Sequence, residues 1–167
     1  MNEHEVVAHL LQEDGGIPNN EVLPLLVYPG ALKGESRDEV RSRILSNEWH
    51  GAWVGSVYSF HHYHSTAHEV LGCFQGTAKV QFGGESGPIV EIKAGDGVVI
   101  PAGVGHKSIS ATSDFAVIGA YPAGQNVDMC EENEDSMDSV LSRIENLPLP
   151  QTDPFYGHSG PLLDLWN

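Results

Sequence analysis

The sequence predicts an all-β domain, a barrel or jelly roll, on three observations. From Trp49 to Tyr121 apolar residues recur at every second position, the period of a half-buried strand. The runs are short and are separated by Gly76, Gly83-Gly84, Gly87-Pro88, Gly95-Asp96-Gly97 and Pro101-Ala102-Gly103, and even spacing with glycine turns marks closed or double-sheet β architectures. The composition agrees: 19 Gly and 10 Pro stand beside 40% apolar and 19% charged residues, which favours turns over a helical bundle. At 167 residues and 18.0 kDa the chain is a single domain, long enough to bury roughly 70% of its unfolded surface without staples.

The elements follow in order. Val6 to Leu11 is a short apolar run whose period does not separate helix from strand. Asp14-Gly15-Gly16 and Pro18-Asn19-Asn20 are turns. Val22 to Tyr28 reads as an edge strand because Pro24, inside it, cannot donate to a central ladder. Ser36 to Asn47 reads as a helix: Ser36 and Glu39 form a capping box, Glu39 and Arg43 an i, i+4 pair, and Val40, Ile44 and Trp49 a narrow apolar face. The period-two region resolves into candidate strands 52–63, 69–75, 77–82, 88–92, 97–100, 106–110 and 114–121. Residues 131–146 read as a second helix, with Met137, Val140, Leu141 and Ile144 on one face. Glu131, Glu132, Glu134 and Asp135 would crowd its N-terminal end, where the macrodipole favours negative charge. The last twenty residues are proline-rich and irregular.

The net charge is −15. That excludes a nucleic-acid or anionic-membrane surface, both of which need clustered Lys and Arg. Residues 50–127 hold 5 acids against 3 bases, while 128–167 hold 9 acids against 1 base. The near-neutral middle also carries 6 of the 9 His and 13 of the 19 Gly. Chemistry is therefore expected in the middle, and the flanks look like solvated additions. There is no signal-like N-terminus and no run of 18 apolar residues. Cys73 and Cys130 belong to no motif, so neither a disulfide scaffold nor a membrane is expected, and a reducing cytoplasm is.

The segment that carries chemistry is Phe60-His61-His62-Tyr63-His64-Ser65-Thr66-Ala67-His68-Glu69. On a strand His62 and His64 face the same way, with Tyr58 and Phe60 beside them. Glu69 follows His64 by five residues across a short turn, and His106 supplies a third imidazole. Three His and one Glu suit one divalent first-row metal, Fe, Mn, Ni, Zn or Cu, and an open coordination position would allow catalysis. Without an ion the same four residues would be a polar cluster, and a buried Glu among neutral imidazoles is costly to desolvate without a cation. Tyr58, Phe60 and Tyr121 are candidate pocket walls, although as core aromatics they need no function. His61 and His68 face away from this group. Cys73 shares inward parity with Glu69 and reads as an inert buried thiol.

His62-x-His64-x4-Glu69-x6-Gly76 resembles the first cupin motif, and Gly95-x5-Pro101-x-Gly103-x2-His106 resembles the second, in the right order. The motifs cover about residues 55–110. Two positions depart from the pattern: Gly55 stands seven residues before His62, out of its usual place, and Ser110 replaces the asparagine that often closes the second motif. Ile17-Pro18-Asn19-Asn20, Ser65 to Gly72, Pro101 to Lys107 and Gly119-Ala120-Tyr121-Pro122 extend the likeness over nearly the whole chain, to the YjlB-like branch of small bacterial cupins.

The resemblance implies a double-stranded β-helix, the cupin jelly-roll barrel, with short N- and C-terminal helical additions. Residues 1–49 would pack strands and a helix on the barrel, 50–122 would form the cupin core, and 123–167 a C-terminal helix and tail. His62, His64, Glu69 and His106 fall on the four cupin metal-ligand positions. A metal-dependent enzyme on a small polar molecule is then expected, of oxygenase, isomerase or lyase type. The alternative is a non-catalytic small-ligand-binding or sensing protein. The family also implies a homodimer, for which Val22 to Tyr28 is the apolar edge that would need covering.

Overall fold

The computed structural model describes residues 5–167. Nine strands and three helices are defined among them: β1 (Val7–Leu11), β2 (Asn20–Tyr28), α1 (Arg37–Ser46), β3 (Trp49–Gly55), β4 (Glu69–Gln75), β5 (Thr77–Phe82), β6 (Ile89–Lys93), β7 (Gly97–Ile100), β8 (His106–Ala111), β9 (Ala116–Pro122), α2 (Met137–Glu145) and α3 (Leu162–Leu165). Six strands form one sheet in the order β1-β2-β7-β4-β9-β3, and three form a second in the order β6-β5-β8. Strand pairing is antiparallel throughout, so the chain is a β jelly-roll barrel. No helix among the described residues is long and apolar enough to cross a membrane.

The six-stranded sheet is covered on both faces, and strand alternation divides its side chains between two cores. Leu25, Val27, Leu71, Cys73, Val98, Ile100 and Val117 point into the barrel, where they meet Ala78, Val80, Phe82 and Ile92 of the smaller sheet. Leu26, Tyr28, Val70, Val99, Ile118 and Ala120 point outward, onto Val40 and Ile44 of α1 and onto Phe155, Leu162 and Trp166 of the C-terminal segment. Burial on two faces explains why Leu25-Leu26-Val27 and Val98-Val99-Ile100 are continuous apolar runs rather than alternating ones.

The flanks are thus half of the core and not solvated additions. The tail is irregular only between short elements. It is organised by Asp153, whose fully buried carboxylate accepts from the Tyr28 hydroxyl at 2.7 Å and from the backbone N–H groups of Phe155, Tyr156 and Leu162 at 2.8 to 3.1 Å. Burial first, then the Asp153 charge, push the Tyr28 pKa far above its ordinary value, so the phenol stays a donor.

Several sequence expectations are corrected. β2 is not an edge strand, since it lies between β1 and β7 and the free edge belongs to β1. Pro24 is tolerated because it sits where the β1 ladder breaks, between the His9↔Leu25 and Leu11↔Asn20 pairs, and before the β7 ladder begins at Leu26. Its carbonyl accepts from Trp166 Nε1 at 2.8 Å. The capping box of α1 forms as expected, but it engages Glu39, and Arg43 pairs instead with Glu35 and with the Phe155 carbonyl. α2 begins at Met137, behind an N-cap at Ser136. Asn133, in the left-handed region at φ 63°, breaks the chain before it, so Glu131, Glu132 and Glu134 lie in a preceding turn and do not load the helix end. The expected strand 52–63 stops at Gly55 because its ladder partner β9 ends at that register.

Replacing Asp153 with Ala removes the acceptor of three buried donors, the Tyr28 hydroxyl and the Phe155 and Leu162 N–H groups, and hydrogen bonds to a charged group are each worth about 1.5–3 kcal/mol. We expect Asp153→Ala to lose on the order of 3 kcal/mol or more in urea unfolding, with the near-UV signal of Tyr28 and Trp166 reporting release of the tail.

Candidate metal centre

After Gly55 the chain leaves β9 and crosses to the other sheet. The Tyr58 carbonyl accepts from Ser108 N–H at 2.8 Å, and His62 exchanges two backbone hydrogen bonds with His106, at 3.2 and 2.9 Å. Tyr63 then exchanges two with Cys130, at 2.9 and 2.8 Å, and the His64 carbonyl accepts from Gly103 N–H at 2.7 Å. The backbone is extended but changes partner at almost every residue, so side chains still alternate without a continuous ladder. His62 and His64 face the barrel mouth. Tyr63 faces the other way, into a small cluster with Ile17, Cys130 and Val140 of α2. The second helix therefore braces the histidine segment from behind.

Gly103 is fixed by space and by backbone. Its φ is +96°, and a Cβ there would lie 2.3 Å from the Asn19 carbonyl oxygen. This glycine lets the 101–105 turn close against Asn19 and deliver His106 to the start of β8.

Four side chains converge. The ring nitrogens offered by His62, His64 and His106 lie within 4.8 Å of one another, and all three residues are buried. Glu69 Oε1 stands 3.2 Å from His64 Nε2 and 3.4 Å from His106 Nε2. Each imidazole is oriented from behind by a backbone carbonyl on Nδ1: Phe60 for His62 at 3.1 Å, Asp128 for His64 at 2.6 Å, and Val104 for His106 at 3.1 Å. A carbonyl only accepts, so each Nδ1 carries the hydrogen and each Nε2 of a neutral ring presents a lone pair inward. Carbonyl anchoring of the remote nitrogen is the usual support of a metal-ligating histidine. Lone pairs and a carboxylate facing each other repel unless a cation stands among them, so the donor set fits a metal ion.

The titration behaviour expresses the same demand. Burial, then the neighbouring His106, lower the His62 pKa to about 3. Burial also opposes a charge on His64, but the hydrogen bond and charge of Glu69, followed by Asp128, outweigh it and raise that pKa. Burial alone would raise Glu69, yet the imidazoles of His106 and His64 hold it down to about 2.

These groups open on a cavity of about 540 Å³. Tyr58 and Tyr121 line it, and Phe60 does not: it stacks on Tyr58 from outside, ring centroids 5.1 Å apart. The Tyr121 hydroxyl accepts from Trp53 Nε1 at 2.8 Å. Burial first and the Glu69 charge second raise its pKa, so the hydroxyl keeps its hydrogen. Trp53 reaches this position by lying across Gly119, where a Cβ would sit 2.2 Å from the indole ring.

The remaining histidines are placed apart. His61 Nε2 lies 3.3 Å from the exposed Glu85 carboxylate. His68 is 1% exposed, accepts from Ala102 N–H at 2.8 Å on Nδ1, and packs edge-on against Trp166. Burial lowers the His68 pKa to about 4 and keeps it neutral. Cys73 is buried, and burial raises its thiol to about 11, as an inert thiol requires.

Sequence reasoning missed the clamp behind His64. Asp128 accepts from the backbone N–H groups of Ser65 and Thr66 at 2.7 and 3.3 Å, from the Ser65 hydroxyl, and from Cys130 Sγ at 3.4 Å. Arg143 of α2 donates to the Ser65 hydroxyl at 2.7 Å. Nothing in the sequence marks these positions, because the contact that matters to His64 is a main-chain carbonyl 64 residues away.

An antiparallel jelly roll with three inward imidazoles and a carboxylate at its mouth defines the class, and the chain belongs to the cupin family. Residues 49–118 match the Cupin domain family. The chain is 44% identical over 165 residues to a Bacillus subtilis (strain 168) protein designated YjlB and described as uncharacterized, with 98% of both chains covered, which places it in the YjlB-like branch. Solved structures give distant likenesses. Pumpkin seed globulin matches at a TM-score of 0.39 and 24% identity, over 58% of this chain and 28% of that one. The DMSP lyase DddQ from Ruegeria pomeroyi DSS-3 matches at 0.37 and 17%, over 75% of this chain and 50% of that one. The chain thus spans half or less of each of these solved chains.

Gly119→Ala forces the Trp53 ring off β9 and breaks its bond to Tyr121. Overpacking of this kind typically costs about 1–3 kcal/mol. A lowered urea midpoint with a shifted tryptophan emission maximum is the expected outcome, and an unchanged spectrum would count against this packing.

Proposed function

We propose that the protein binds one divalent first-row transition metal, Fe, Mn, Ni, Zn or Cu, through His62, His64, Glu69 and His106. We further propose that it acts as a metal-dependent enzyme on a small polar molecule, with chemistry of the oxygenase, isomerase or lyase type. The observation that carries this reading is the convergence of three carbonyl-anchored Nε2 lone pairs and one carboxylate at the floor of a cavity large enough for a small ligand. Bound there, such an ion supplies Lewis-acid polarisation of a carbonyl or enediol oxygen.

The chain's own residues complete the site. Glu69, 3% exposed, brings a negative charge that three neutral imidazoles lack. Tyr121 holds a proton beside that carboxylate and is itself held by Trp53, so it can orient a substrate oxygen or pass it a proton.

Purified protein reloaded with Fe, Mn, Ni or Zn should hold about one ion per chain by elemental analysis, and should melt higher than the metal-free form because the ion binds only the folded state. His62→Ala should fall well below that content, and a variant that keeps full metal would sink the ligand assignment. Turnover on a panel of sugars, keto acids and phenols with defined metals tests the catalytic half. Metal at full stoichiometry with binding but no turnover would make the protein a ligand-binding cupin instead.

A further inference from the structure

The metal reading leaves the ligand's chemistry open, and the cavity wall above the donors narrows it. Trp53, Val54, Val57, Tyr58, Val127 and Met129 form that wall. No Lys or Arg lines the cavity among the described residues. Both carboxylates that do line it are committed: Glu69 to His64 and His106, and Asp128 to its donors from Ser65, Thr66 and Cys130. Beyond the floor the cavity therefore offers an incoming anion no countercharge, in a chain whose net charge is −15. A remote phosphate or carboxylate on the ligand would lose its hydration with nothing to replace it.

The mouth is apolar as well. Val54 is 53% exposed, Tyr58 56%, Met129 49% and Val127 41%. Single exposed apolar residues are ordinary, but a group of them around a cavity marks a binding surface. Its aromatic part is continuous with the donor cluster. The Phe60 ring stacks on Tyr58, and Tyr58 meets the ring of His62 edge-on at 5.3 Å. A flat ligand whose head reaches the His62 Nε2 region would lay its body along Tyr58.

We infer that the site takes a small molecule with one oxygen-donor head, neutral or singly anionic, on an uncharged apolar or aromatic body, and that Tyr58 with the Val127–Met129 segment selects for that body. Phosphorylated sugars and polycarboxylates are excluded by the same wall. The inference rests on the metal-binding reading and refines it: the polar part of the substrate is confined to its head.

Matched hydroxamates test this on the full chain loaded with Zn for calorimetry and with Co(II) for absorption spectra. Acetohydroxamate and benzohydroxamate share a head and differ in body, and 4-carboxybenzohydroxamate adds a remote charge. Benzohydroxamate should bind about tenfold or more tighter than acetohydroxamate, as expected when one aromatic ring leaves water. The 4-carboxylate should lose most of that gain, and all that bind should perturb the Co(II) bands. Tyr58→Ala, at an exposed position, should keep its melting temperature and its metal while shrinking the benzo-to-aceto ratio severalfold.

Equal affinities, no binding at all to fully metallated protein, tighter binding of the 4-carboxylate, or an unchanged ratio in Tyr58→Ala would each overturn the inference. So would a change of mass in light scattering on Tyr58→Ala with the ratio intact, which would give this face to a second copy of the chain. Failure to take up Co(II) or Zn at all would instead bring down the metal reading on which it stands.

Discussion

Three imidazoles, each with its Nδ1 hydrogen already given to a backbone carbonyl, point their remaining lone pairs at one carboxylate in a buried space. Such a group is unstable as a set of neutral acceptors plus one anion. A cation among its members, proton or metal, relieves that repulsion. The carbonyls that hold it come from Phe60, Asp128 and Val104, three segments far apart in sequence. The Asp128 carbonyl is itself fixed by the bonds of its side chain to Ser65 and Thr66.

That holding explains the architecture around the mouth. Tyr63, between His62 and His64, is pinned by two backbone bonds to Cys130 and by packing on Val140. Arg143, one turn further along α2, reaches the Ser65–Asp128 pair. A displacement of α2 would therefore move both the histidine segment and the carbonyl behind His64. On the far side, Trp166 packs on His68 and bonds the Pro24 carbonyl, so the last ordered turn of the chain supports the residue preceding Glu69. A single hydrophobic sheet with two buried faces links these braces, because Val70 faces α1 and the tail while Glu69 and Leu71 face the barrel.

What the sequence made legible follows from the range of the forces involved. β4, β5 and β7 have the bounds that alternation and glycine turns predict, and α1 starts at its capping box, because these signals are local. The ends of β3 and the position of β2 were not legible. Each depends on which strand is available to pair, and that is decided by residues far along the chain. The identity of the four converging side chains was visible from motif spacing. Their orientation was not, since backbone carbonyls carry no sequence signature. Tyr58 lines the cavity while Phe60, of the same parity, stacks on Tyr58: outside a continuous ladder, parity does not fix where an aromatic ring comes to rest.

The charge distribution acquires a different meaning once the second helix is placed. Glu131, Glu132 and Glu134 do not offset a helix dipole, so their charge is left to act at longer range. A net charge of −15 on a domain this small draws divalent cations toward it and keeps anions away, an effect that weakens as salt rises. Inside the cavity the short-range chemistry has the same sign: two carboxylates, neutral imidazoles, and no Lys or Arg among the lining residues. On the proposed function, the field and the wall favour one order of assembly, in which the cation would be taken up first. An oxygen-donor ligand would then follow, drawn by that cation and by no other positive charge among the lining residues.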